Sequence, residues 1–137
     1  MAANRPTFAA SAAVLVLLWL VPVHFSLGQD PVSVAESAAK ADAETAEGKN
    51  FGEALRQAFG RDHAATIQRC AQETKRPDLS NFDLFLRVDG VGVVDQALVK
   101  PGTNLAACVQ GKMPGWKVSV PPHAGFWVKV SVNLKRK

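Results

Sequence analysis

The chain has 137 residues, 47% of them hydrophobic, with 16 Lys and Arg against 12 Asp and Glu, two cysteines and no tyrosine. That length supports one small folding unit and excludes a large multidomain enzyme, and the 20% charged fraction excludes a fully disordered chain. A single apolar block excludes a polytopic membrane protein.

That block is the first element. From Pro6 to Gln29 there is no Asp, Glu, Lys or Arg, and Val14-Leu15-Val16-Leu17-Leu18-Trp19-Leu20-Val21 forms its apolar centre behind Arg5. Ser26-Leu27-Gly28 follows with small residues at its first and third places, so residues 1–28 read as a cleaved secretory signal. Pro22 ends the leader helix and leaves the cleavage site extended. The alternative is an uncleaved single-pass anchor in the inner membrane. It reaches the roughly 20 apolar residues of a span only by counting Ser11, Pro22, His24 and Ser26. Either way the rest of the chain is expected outside the cytoplasm, periplasmic or secreted, with a membrane as partner only if the leader is retained.

Residues 29–49 carry five acids, two lysines and many alanines, with Val32 and Val34 the only larger apolar side chains. Such a stretch offers little to bury and reads as an Ala/Glu-rich linker, transiently helical or flexible, without the stiffness of a proline-rich strut. The domain, 50–137, is expected to begin at Asn50-Phe51-Gly52-Glu53, which fits a capping box. Phe51, Leu55, Ala58 and Phe59 then fall at helical spacing; Gly60 interrupts, and Asp62 can cap a second stretch holding Ala64, Ile67, Cys70 and Ala71. One kinked helix or two short ones both satisfy this pattern, and Pro77 closes the region.

From Phe82 the period changes to two: Phe82, Leu84, Leu86 and Val88 alternate with Asp83, Phe85, Arg87 and Asp89, the mark of a half-buried strand. Asp89-Gly90-Val91-Gly92 supplies glycines for a hairpin, and Val93 to Val99 returns. Thr103 can cap a helix bearing Leu105, Cys108 and Val109, which Pro114-Gly115 stops. Trp116, Val118 and Val120 alternate before Pro121-Pro122, and Phe126, Val128, Val130, Val132 and Leu134 give the cleanest alternation in the chain. The expected fold is α+β: a small antiparallel sheet with two helical segments on one face, in the order α-β-β-α-β.

Export changes the reading of the cysteines, because an oxidising compartment favours pairing. A Cys70–Cys108 disulfide is expected. Buried free thiols are one alternative, and a zinc site joining Cys70 and Cys108 to His63 and His123 is another, although no CxxC or HxxxH spacing supports the metal.

Several segments, taken together, carry a family resemblance: Ile67-Gln68-Arg69-Cys70, the hairpin from Phe82 to Val94, Ala106-Ala107-Cys108-Val109, and Trp116-Lys117-Val118 followed by Pro121-Pro122. Over roughly Asn50 to Leu134 the chain resembles the C-terminal domain of TonB-like energy transducers, including the disulfide-bearing variants found as modules in other bacterial envelope proteins. The resemblance implies that the last strand receives an extended peptide by strand addition, the partner being an envelope protein. That strand would be Phe126 to Leu134, with Trp127, Lys129, Ser131 and Asn133 on its solvent-facing side as the binding edge. The plainer reading is a terminal strand guarded from aggregation by Lys129 and Lys135-Arg136-Lys137. Three features separate the chain from a membrane-anchored energy transducer, which stays an alternative: the 29–49 stretch is short and poor in proline, Ser11 and His24 are far apart where the family has a closely spaced Ser-His pair, and leader cleavage would remove the anchor.

No catalytic motif stands out. The sequence shows no Ser-His-Asp grouping, paired carboxylates on one element or CxxC, and Gly90 and Gly92 are explained by the hairpin, so neither enzyme activity nor a cofactor is expected. The 50–137 domain holds 13 basic against seven acidic residues, yet export and the lack of a basic helix with interleaved aromatics argue against nucleic acid. The second functional hypothesis is a secreted inhibitor or ligand-binding module that uses the 114–125 loop, with Trp116 and His123, as its contact surface.

Overall fold

The structure, a computed structural model, describes residues 29–134. Residues 1–28, on which the export reading falls, and Lys135-Arg136-Lys137 lie outside the described residues. The elements are α1 (Pro31–Asp42), α2 (Ala46–Glu73), β1 (Phe82–Val88), β2 (Val94–Lys100), α3 (Asn104–Gly111) and β3 (Phe126–Val132). The strands form an antiparallel sheet in the order β2-β1-β3. The α+β class is as expected, and the order α-α-β-β-α-β differs from the expected α-β-β-α-β by the additional helix α1.

Alternation builds the main core. Leu84, Leu86 and Val88 of β1 face the same way as Val128 and Val130 of β3, and they pack with Leu55 and Phe59 of α2 and Leu105, Val109 and Met113 of α3. Thr103 caps α3 by accepting from the Ala106 N–H at 3.1 Å. The β1–β2 turn is held by Asp89, whose carboxylate accepts from the Val91 and Val93 N–H groups at 3.0 and 2.9 Å. Of its two glycines only Gly92 takes a positive φ, +86°, and a side chain there would strike the Val118 carbonyl.

Three expectations need correction. The 29–49 stretch is structured: α1 lies on the face of the sheet opposite α2 and α3, so helices cover both faces. Asp30 caps it by accepting from the Val32 N–H at 3.3 Å, with Pro31 in the first turn, where its missing N–H costs nothing. Ala35 and Ala39 are buried against Phe85, which is 0% exposed although it stands among the polar alternates of β1. Alanines let the helix lie close to the sheet while adding little apolar signal to the sequence.

The second correction concerns α2, a continuous helix of 28 residues. Its N-cap is Thr45, which accepts from the Gly48 N–H at 2.9 Å, and Asn50 sits inside the helix. Gly60 does not interrupt it; the roughly 1 kcal/mol cost of a mid-helix glycine is outweighed by the burial of Leu55, Phe59 and Cys70 around it. Finally, 116–120 is not a full strand. It makes an isolated bridge between Lys117 and Val93 and then meets Pro121 and Pro122, which have no N–H to extend a ladder.

Candidate functional site

The central position of β1 leaves β3 at an edge of the sheet, bonded on one side only. In an antiparallel ladder bonded and non-bonded pairs alternate, so every second residue of β3 turns its backbone groups away from β1. Two hydrogen bonds show which ones. The Trp127 N–H donates outward to Asp42 Oδ2 at 2.9 Å, and the Lys129 carbonyl accepts from Arg56 Nε at 2.9 Å. Residues 127, 129 and 131 therefore form the outer edge.

Helix α2 lies beside this edge with Gly48, Gly52, Arg56 and Gly60 at four-residue spacing, one stripe of a helix surface. Two clefts flank Arg56. One, about 260 Å³, opens between Lys40 of α1, Gly48 and Gly52 of α2, and Trp127 and Lys129 of β3. The other, about 400 Å³, opens between Phe59 and Gly60 on one side and Ser131 and Asn133 on the other. Arg56 lines both and is itself loosely held, 3.8 Å from Glu53 on an exposed surface.

The four residues expected at the binding edge thus have different fates. Lys129 and Ser131 are exposed as expected; Lys129 Nζ lies 3.7 Å from Asp83, and Ser131 Oγ donates to Asp83 Oδ1 at 2.8 Å. Asn133 is exposed just beyond the end of β3. Trp127 is not on a solvent-facing side. It is half-buried under α1, with the Arg87 guanidinium 6.0 Å from its ring centre, because α1 covers the sheet's second face. Arg87 is in turn bidentate to Asp95 at 2.8 and 3.2 Å, a bond that raises its pKa further.

Two further residues belong to the site: Asp42, which escaped sequence reading, and His123, which was expected only as a loop contact or a zinc ligand. Asp42 spans α1 and the 121–125 loop as well as β3: its Oδ1 lies 2.8 Å from His123 Nε2. His123 Nδ1 lies 2.9 Å from the Ala124 carbonyl oxygen, and the ring packs 5.1 Å from that of Phe126. The Ala124 carbonyl, then the Asp42 carboxylate, raise the pKa of His123 above its ordinary value. Gly48 fixes the corner from below, since a methyl group there would collide with the Asp42 carbonyl oxygen. The signal available in the sequence was Gly48, whose missing side chain admits the Asp42 carbonyl.

Cys70 and Cys108 are joined, with Cα atoms 5.8 Å apart, and staple α2 to α3. The bond removes two ligands from the zinc alternative, and among the described residues no group of three or more His, Cys, Asp or Glu is placed to hold a metal ion. His63 packs against Trp116 with ring centres 4.5 Å apart, and its pKa is lowered by burial, partly offset by Asp62. Trp116 Nε1 donates to Asp62 Oδ2 at 3.3 Å, so this part of the 114–125 loop is tied to α2.

Comparison with family models, curated proteins and solved structures gives no match to this chain. Among the described residues no helix is long and apolar enough to cross a membrane.

Proposed function

We propose that this protein is an exported, periplasmic protein–protein interaction module of the TonB C-terminal type, which binds an extended peptide of an envelope partner by strand addition to β3 and has no catalysis of its own. The observation that carries the reading is the outer edge of β3: it borders two clefts, and single side chains engage two of its backbone groups, Asp42 at the Trp127 N–H and Arg56 at the Lys129 carbonyl. A strand entering there exchanges the Arg56 contact for a backbone N–H to the Lys129 carbonyl, and main-chain bonding supplies affinity while alternate side chains enter the clefts. The disulfide fits an oxidising compartment.

The loop hypothesis draws less support, because Trp116 is engaged with His63 and Asp62.

A peptide array tiled over the outer-membrane receptors of the source cell, followed by fluorescence titration, tests the reading. Proline at Ser131 keeps the bonds of β3 to β1, since the Ser131 N–H points outward, and blocks an added strand. Binding lost in Ser131→Pro and retained in Trp116→Ala supports strand addition; the reverse pattern favours the loop and overturns it.

A further inference from the structure

The end of the β3 edge where Trp127 stands is closed by Asp42, and Asp42 is held by a histidine whose two ring nitrogens both face acceptors. The Ala124 carbonyl oxygen and the Asp42 carboxylate oxygen, at 2.9 and 2.8 Å, can only accept. A neutral imidazole carries one N–H and satisfies one of the two, whereas the imidazolium satisfies both. From these contacts we infer that His123 is a proton-operated latch: protonated, it clamps Asp42 over the Trp127 N–H and keeps that end of the edge closed, and loss of its proton frees Asp42 and opens the edge to a pairing strand. The inference rests on the strand-addition reading for its purpose, though the latch can be tested without a peptide.

The surroundings favour the cation. From α1 the charged group facing His123 is Asp42, the last residue of that helix, whose C-terminal dipole also favours positive charge. From β3 it faces the Phe126 ring, against which Phe51 of α2 packs at 5.1 Å, and the charge acting on the imidazole is that of Asp42. His123 is a little over half exposed, at 54%, so protons exchange readily, while Asp42 is 17% exposed and gains from a charged partner. The sign follows. A group whose pKa is raised in the closed form binds its proton more tightly there, so closure is favoured just below the ordinary histidine value of 6.5 and is lost as pH climbs through the raised one.

The test uses the isotope-labelled full chain. NMR titration of the His123 ring reads the proton, and hydrogen exchange of the Trp127 amide, as a protection factor that removes the intrinsic pH dependence, reads the closure. Expected is a His123 pKa above the ordinary histidine value, falling in Asp42→Asn, with Trp127 protection several-fold lower on the alkaline side and Leu86, in the central strand, unchanged. In His123→Gln, which keeps a donor and cannot titrate, Trp127 protection should no longer follow pH. Wild-type Trp127 protection that ignores pH, or the same pH response in His123→Gln, overturns the latch. If the latch titrates as described while no peptide binds at any pH, the latch stands and the strand-addition reading falls.

Discussion

Arg56 Nε donates to the Lys129 carbonyl at 2.9 Å, across 73 residues of sequence, and so occupies the acceptor that an added strand would need first. The bond is exposed and the Arg56–Glu53 pair beside it is long, so both hold the edge weakly. Replacing Arg56 by Ala should tighten binding of an extended peptide while lowering stability by no more than about 1 kcal/mol. Titration of the peptide against both proteins, with urea unfolding alongside, checks the two halves of the statement.

Glycines on α2 should respond in opposite directions. Gly48→Ala drives a methyl group into the Asp42 carbonyl oxygen and should destabilise the fold by about 1–3 kcal/mol. Gly60 has open space where a side chain would go, and Gly60→Ala should stabilise by up to about 1 kcal/mol. Denaturant melts of the two variants give the signs directly.

Phe85 tests whether α1 belongs to the folded domain. It is fully buried between β1 and the alanines of α1, so Phe85→Ala should cost about 3–5 kcal/mol by cavity formation. Were 29–49 a solvated linker, Phe85 would be exposed and the change nearly neutral. Calorimetry of the variant separates these outcomes.

The disulfide closes a loop of 38 residues in separation, for which the chain-entropy model gives about 4 kcal/mol. Mass spectrometry of the protein should show the loss of two hydrogens. Replacing both cysteines by Ala should lower stability by roughly 2–4 kcal/mol.

The two described histidines should pull stability in opposite directions with pH. Burial lowers the pKa of His63, so the folded form binds fewer protons than the unfolded chain. Its contribution is intact above the ordinary value of 6.5 and is lost as pH falls below it. His123 behaves conversely, its contribution present below that value and lost as pH rises through the raised one. His63→Phe, which keeps the ring against Trp116, should flatten the acid side of the stability profile, and His123→Gln the side above 6.5; chemical melts across pH read both.

By itself the sequence determined the strands β1 and β3 and the α3 cap. Each is written locally: Phe82 to Val88 and Phe126 to Val132 alternate with period two, and Thr103 bonds the chain three residues on. Tertiary structure decided what covers the second face. Ala35 and Ala39 carry too little apolar surface to announce a core helix, and they become buried only because Phe85 and Trp127 supply the surface to bury them against. It also decided the edge site, since Asp42, Arg56, His123 and Lys129 come from four separate stretches and no local period relates them. Periodicity reports which side of an element is apolar; which elements meet is settled by the packing of one against another.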